Sequence, residues 1–160
     1  MKQIGVATVN YNSLKYTLQF AKAIEKSLDN FLLVIVNNSP GDKDKLEKLE
    51  SRNVRVIESK GNIGYSGGLN LGMKYILAET KIEWMLIGNN DVIIDDDFVK
   101  KLDELTDQNV IYSPVIMNVN DDIVQNTGGN IGIIYGGTIN VNRGKHIAEI
   151  KKRQDRKSVV

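Results

Sequence analysis

The stretch IEWMLIGNNDVIIDD, residues 82–96, sets an apolar run against a polar tip, Asn89-Asn90-Asp91, and then supplies the acids of a helix start. It predicts a strand at 82–87 that ends in a displayed carboxylate. In an open α/β sheet, ligands sit beyond the carboxyl ends of the strands, so Asp91 stands where chemistry is usually done. An oxygen ligand placed there can hold a divalent cation, and the cation can hold a diphosphate. Asn and Asp also favour turns for purely local reasons. The reading therefore depends on whether other strand ends are specialised in the same way, and three of them are.

Upstream, residues 4–9 form a short apolar run followed by Asn10-Tyr11-Asn12-Ser13, with Ser13 as N-cap of a helix carrying Leu14, Leu18, Ala21, Ile24 and Leu28 at helical spacing. FLLVIV at 31–36 reads as a second strand, stopped by NNSPGD at 37–42, and residues 43–50 as a short charged helix. A third strand is expected at 54–57. It leads into GNIGYSGGLN at 61–70 and a helix with Leu69, Met73, Ile76 and Leu77 on one face. After the 82–87 strand come a helix at 95–105, acidic in its first turn, and a fifth strand at 110–115. Residues 118–142, with paired glycines at 128–129 and 136–137, suggest hairpins in place of another crossover helix. The first 115 residues thus alternate strand and helix as right-handed crossovers of a mainly parallel sheet require, with helices on both faces.

Composition narrows the chemistry. The chain has 160 residues, 41% hydrophobic and 26% charged, enough for one domain-sized core. With no cysteine and one histidine, His146, there is no thiolate site, cysteine nucleophile or histidine cluster, so any metal must be held by oxygen. The amino-terminal apolar run lacks the length and cleavage site of a signal peptide, and no run approaches a membrane span; a soluble cytoplasmic protein is the expectation. Net charge is +1, yet residues 143–157 hold seven Lys or Arg against two acids, a local +5 that leaves −4 elsewhere. Residues 143–160 read as a basic tail on a domain spanning 1–142. Such a tail suits an anionic membrane surface, though runs of this kind are more often solvated ends.

The glycines at 64, 67 and 68 open a helix, where free N–H groups can meet phosphate and backbone can approach a ligand. The dinucleotide fingerprint belongs after the first strand and this loop follows the third, so a dehydrogenase reading is weak. No GxxxxGK[ST] is present either, which removes a P-loop. The alternative is that the glycines serve only to seat the helix on the sheet. Asn10, Asn37 and Asn38 follow strands one and two, where an amide can pair with a base edge or a ribose hydroxyl.

Taken in order, VATVNYNS, VIVNNSPGD, NIGYSGGLNLG and MLIGNNDV resemble the nucleotide-sugar half of family 2 glycosyltransferases of the GT-A fold, especially the rhamnosyltransferase-like branch. The likeness covers residues 4 to about 140 and rests on four motifs in family order. It implies a nucleotide-diphospho-sugar donor (UDP- or dTDP-linked) and inverting transfer to a carbohydrate or lipid-linked acceptor in cell-surface polysaccharide synthesis, without nucleic acid. By resemblance, nucleotide contacts fall at Asn10, Asn37, Asn38, Asn62, Gly67, Gly68 and Asn89, and Asp91 is the ligand of Mg2+ or Mn2+.

The chain departs from the pattern in three places. Asn37 stands where the family commonly has Asp, and Asn89 or Asn90 where it often has a second acid. No carboxylate matches the register of the family's catalytic base, so the catalytic residue is unassigned; Asp121 and Asp122 come too early. The family's acceptor segment would begin near residue 157, which leads to the expectation of a truncated domain that binds donor but transfers sugar slowly or not at all. The rivals are a non-catalytic or truncated nucleotide-sugar-binding module and a nucleotidyltransferase. The latter wants a basic glycine-rich loop after strand one, which VNYNSLKY does not offer.

Overall fold

The computed structural model describes residues 3–79, 81–95, 98, 101, 102, 104–107, 109, 111–132 and 137–150. The chain divides into two compact units, residues 1–105 and 106–160. In the first, β1 (Ile4–Asn10), β2 (Phe31–Asn37), β3 (Val54–Glu58) and β4 (Trp84–Ile87) form one all-parallel sheet in the order β3-β2-β1-β4. Between them run α1 (Leu14–Ser27), the single turn α2 (Lys43–Leu46) and α3 (Gly64–Leu77).

Every residue of β1 and β2 is buried, because both faces of the sheet are covered. Strand pleating sorts the side chains by parity. Ile4 and Val6 of β1, Phe31, Leu33 and Ile35 of β2, and Val54 of β3 pack with Phe20, Ala21 and Ile24 of α1. Ala7 and Val9, with Leu32, Val34 and Val36, pack with Leu69 and Ile76 of α3 on the other face. A mainly parallel sheet with helices on both faces is therefore the observed architecture. The approach of α3 is close: a Cβ on Gly68 would lie 2.8 Å from Val9 Cγ2, and one on Gly5 would lie 2.3 Å from Ile76 Cγ2.

Several expected boundaries are corrected. Strand four begins at Trp84, not Ile82, and strand three extends to Glu58. The expected helix at 43–50 is one α-turn flanked by 3₁₀ turns at Pro40–Asp42 and Glu47–Leu49, held by fully buried Leu46. Ser13 occupies the N-cap position of α1 but makes no capping bond, because its hydroxyl is engaged elsewhere. In the region expected as a helix at 95–105, Phe98, Lys101, Leu102 and Glu104 are helical, Asp95 and Leu105 are not, and 96, 97, 99, 100 and 103 lie outside the described residues.

In the second unit, residues 111–115 form no strand, and Val110 lies outside the described residues. Pro114 has no N–H to give a ladder. Pairing starts instead at β5 (Ile116–Met117), antiparallel to β6 (Val124–Asn126), and β7 (Gly129–Gly132) pairs antiparallel with β8 (Gly137–Asn140). These are the hairpins suggested for 118–142. Residues 143–150 of the basic stretch include a 3₁₀ turn, Ile147–Glu149, capped by His146; residues 151–160 lie outside the described residues. No described helix is long and apolar enough to cross a membrane.

Candidate functional site

The carboxyl ends of the sheet organise two different sets of polar side chains, and strand parity separates them. Asn10, Asn37 and Glu58 are register partners across β1, β2 and β3, and they share the α1 face. Asn10 Nδ2 donates to Asn37 Oδ1 at 2.9 Å and to Asp42 Oδ2 at 3.0 Å, while Asn10 Oδ1 accepts from Thr17 Oγ1 at 2.7 Å. Asn37 Nδ2 donates to Ser39 O and to both Glu58 oxygens at 3.0 and 3.2 Å, and its Oδ1 also accepts from Ser39 N. Both amides are buried with all their hydrogens used inside the protein. Asn10 and Asn37, expected to meet nucleotide, thus tie loops together in this structure.

Asn38, one residue further, bonds on the α3 side. Its Nδ2 donates to Gly64 O at 3.1 Å and to Asn62 Oδ1 at 3.4 Å, and its Oδ1 accepts from Ser59 Oγ at 2.8 Å. Asn62 Oδ1 also accepts from Gly64 N at 2.9 Å, an Asx turn that shapes the start of α3 around Gly64 at φ +75°. Asn12, likewise at positive φ (52°), is held by its N–H donating to Ser39 Oγ at 2.7 Å. Gly67 and Gly68 do not line the cleft. Gly68 is spent on the close approach to Val9, and a Cβ at Gly67 would touch only Ile63, at 3.4 Å.

What remains open is a cleft of about 360 Å³ lined by Val9, Tyr11, Ser13, Asn38, Asn62, Gly64, Tyr65, Asn89, Asn90 and Asp91. It gathers the ends of β1, β2 and β4 at the start of α3, bringing four predicted residues together: Asn38, Asn62, Asn89 and Asp91. Among the described residues, none hydrogen-bonds the Asn89 side chain, the Asp91 carboxylate or the Asn62 amide nitrogen, and all three residues are exposed. Tyr65 titrates above the ordinary tyrosine range, first because it is partly buried and second because the Asp91 charge opposes a phenolate. The two side chains therefore sense one another across the cleft. A second cavity, of about 400 Å³, is at the opposite, amino end of the strands, near Gln3, Asp29 and Arg52.

A parallel sheet with an acidic strand tip beside a glycine-opened helix fits many nucleotide-binding proteins. The deciding finding is that residues 5–155 match the sequence profile described as Glycosyl transferase family 2. The chain belongs to that family. It is also 29% identical over 121 residues to a protein of Haloferax volcanii named as a low-salt glycan biosynthesis hexosyltransferase. The aligned part is 74% of this chain and 38% of that relative, so the chain spans well under half the relative's length. The sheet described above is accordingly the GT-A-type α/β core of a family 2 domain.

Sequence reasoning passed over Thr17, Asp42, Glu58 and Tyr65, and read Ser13 only as a helix cap. Tyr65 lies inside the glycine loop and could have been read as a cleft residue. Thr17 stands at i+4 from Ser13, a spacing that puts both hydroxyls on one helix face, but nothing in the sequence says that this face meets Asn10 and Asn90.

Proposed function

We propose that this family 2 domain binds a nucleotide-diphospho-sugar, of the UDP or dTDP type, in the Asn38–Asn62–Asp91 cleft for inverting transfer to a carbohydrate or lipid-linked acceptor hydroxyl. The observation that carries the reading is the cleft at the carboxyl ends of β1, β2 and β4, which displays an exposed carboxylate, unpaired amides and the tyrosines Tyr11 and Tyr65. Amide groups suit a pyrimidine edge or ribose hydroxyls, and the aromatic rings suit a base face.

In the proposed reaction the acceptor oxygen bonds to the anomeric carbon as the bond from that carbon to the diphosphate oxygen breaks, with inversion, and the acceptor proton passes to a base. Among the described residues no cluster of three or more His, Cys, Asp or Glu forms a closed metal cage. A lone carboxylate fits Mg2+ or Mn2+ shared with a diphosphate, since such ions are usually held by one or two carboxylates plus substrate phosphates. Asp91 would hold the ion, with the Asn89 amide as a further oxygen donor. When bound, the ion supplies charge stabilisation to the departing diphosphate. Tyr65, protonated at neutral pH, can donate a hydrogen bond toward phosphate oxygens. The local +5 of residues 143–157 supports a cytoplasmic domain working at an anionic membrane surface, as transfer to a lipid-linked acceptor in cell-surface polysaccharide synthesis would require.

Isothermal titration with UDP, dTDP, ADP and GDP, with and without Mn2+, tests the reading. Pyrimidine diphosphates should bind most tightly and more tightly with metal. Equal affinity for purine and pyrimidine diphosphates would overturn it.

A further inference from the structure

Asn90 sits beside Asp91 in the cleft wall, yet it is buried and its amide hydrogens are committed to α1. Its Nδ2 donates to Thr17 Oγ1 at 2.6 Å and to Ser13 Oγ at 2.7 Å. Thr17 is fully buried, although threonine is not a preferred residue inside a helix. A hydroxyl carries one hydrogen, and the donation from Asn90 occupies a Thr17 lone pair. That leaves the Thr17 hydrogen for Asn10 Oδ1 at 2.7 Å, in preference to the longer contact with Ser13 O at 3.3 Å. The result is a chain of donors running one way, from Asn90 to Thr17 to Asn10 and on to Asn37 and Asp42. Such chains polarise one another and hold their members in a single arrangement.

From this geometry we infer that Thr17 is a positioning residue: through Asn90 it sets the β4 tip, and so the place of the Asp91 carboxylate in the cleft. It touches no donor itself. Asp91 lies in a turn at the tip of β4, an edge of the described sheet, and the described contacts that fix that tip are Gly88 N donating to Ala7 O at 3.3 Å, Thr8 Oγ1 donating to Gly88 O at 2.9 Å, and the two Asn90 bonds to α1 and its N-cap. Ala7 and Thr8 fix the start of the tip at Gly88, and among the described residues the Asn90 bonds are the ones that act next to Asp91. The inference rests on the donor-binding reading for its functional consequence, but not for the structural coupling.

The test uses Thr17→Val, which keeps the shape and removes the hydroxyl, with Thr17→Ser as rescue. Two readouts are taken on the whole chain: the side-chain amide resonances of Asn90 by nitrogen-15 NMR, and UDP titration with and without Mn2+. In Thr17→Val the Asn90 amide signals should move and exchange faster, and the metal-dependent gain in UDP affinity should fall roughly tenfold, the loss of about one hydrogen bond. Thr17→Ser should keep both readouts near those of the parent. Ser13→Ala removes the other acceptor at a partly exposed position and should shift the same Asn90 signals if Thr17→Val does not fold. Unmoved Asn90 signals in a folded Thr17→Val, or in Ser13→Ala where Thr17→Val fails to fold, would overturn the inference, as would Thr17→Ser behaving like valine. If the parent binds no UDP, the donor reading falls, and the Asn90 signals still decide whether Thr17 holds the β4 tip.

Discussion

Replacing Asn37 by aspartate should harm this protein. Asn37 Nδ2 donates to the Glu58 carboxylate at 3.0 Å, and Asn37→Asp replaces that donor with a second negative charge. Two unit charges at that distance repel by about 1.4 kcal/mol in a water-like medium and about 5.5 kcal/mol at an effective dielectric of 20. Glu58 is exposed while position 37 is buried, so the lower part of that range applies. The new carboxylate also faces Ser39 O, which the amide now satisfies at 3.0 Å. Partly offsetting this, the bonds from Ser39 N and Asn10 Nδ2 strengthen when their acceptor is charged. The net expectation is a loss of about 1–3 kcal/mol, a fall in Tm on the order of 2–10 °C for a chain of this size. Urea unfolding of Asn37→Asp, Glu58→Gln and the double variant completes a cycle. The double variant should recover most of the loss, because the introduced glutamine amide can donate to the introduced aspartate. If Asn37→Asp is as stable as the parent, or if Glu58→Gln fails to rescue it, the ladder from Glu58 to Asn37 does not explain the asparagine.

Asp91→Asn should remove most of the metal-dependent gain in UDP affinity without unfolding the protein, since the side chain is exposed; a variant that binds as well with Mn2+ as the parent would show that Asp91 is not the ligand. The same variant should lower the Tyr65 titration part of the way toward the ordinary tyrosine range, because the Asp91 charge is the smaller of its two causes. Ultraviolet titration against Tyr65→Phe measures this, and an unchanged Tyr65 would refute the proximity. Since the folded value is raised, protonated Tyr65 contributes stability in full below about pH 10, and that contribution is lost as pH rises through the folded value; unfolding midpoints across that window should fall less steeply in Tyr65→Phe. Gly68→Ala places a methyl 2.8 Å from Val9 Cγ2 and should cost about 1–3 kcal/mol by overpacking. That loss should shrink in a Val9→Ala background, and a stabilised Gly68→Ala would mean that α3 can retreat from the sheet.

The sequence alone was sufficient for the alternation of strands and helices through β4, for the parallel sheet covered on both faces, and for the placing of Asp91 at a strand tip. These are local matters: apolar runs, cap residues and glycine positions act over a few neighbours, and four motifs in order limit the topology. Boundaries moved where one residue overrode a run, as Pro114 ended the expected fifth strand before it began. The division of labour among the asparagines was not local. Asn37 and Asn38 are adjacent and chemically identical, yet strand parity sends one to the Glu58 ladder and the other toward Asn62 and Gly64. Both amides have their hydrogens used inside the protein, and which partners each finds depends on the register of β1, β2 and β3, as the Asn90–Thr17 bond depends on α1 meeting the β4 tip across 73 positions of sequence. Hydrogen-bond saturation is a property of assembled neighbours, so only the tertiary structure could separate the engaged amides of Asn10, Asn37, Asn38 and Asn90 from the Asn62 and Asn89 nitrogens, which no described residue bonds.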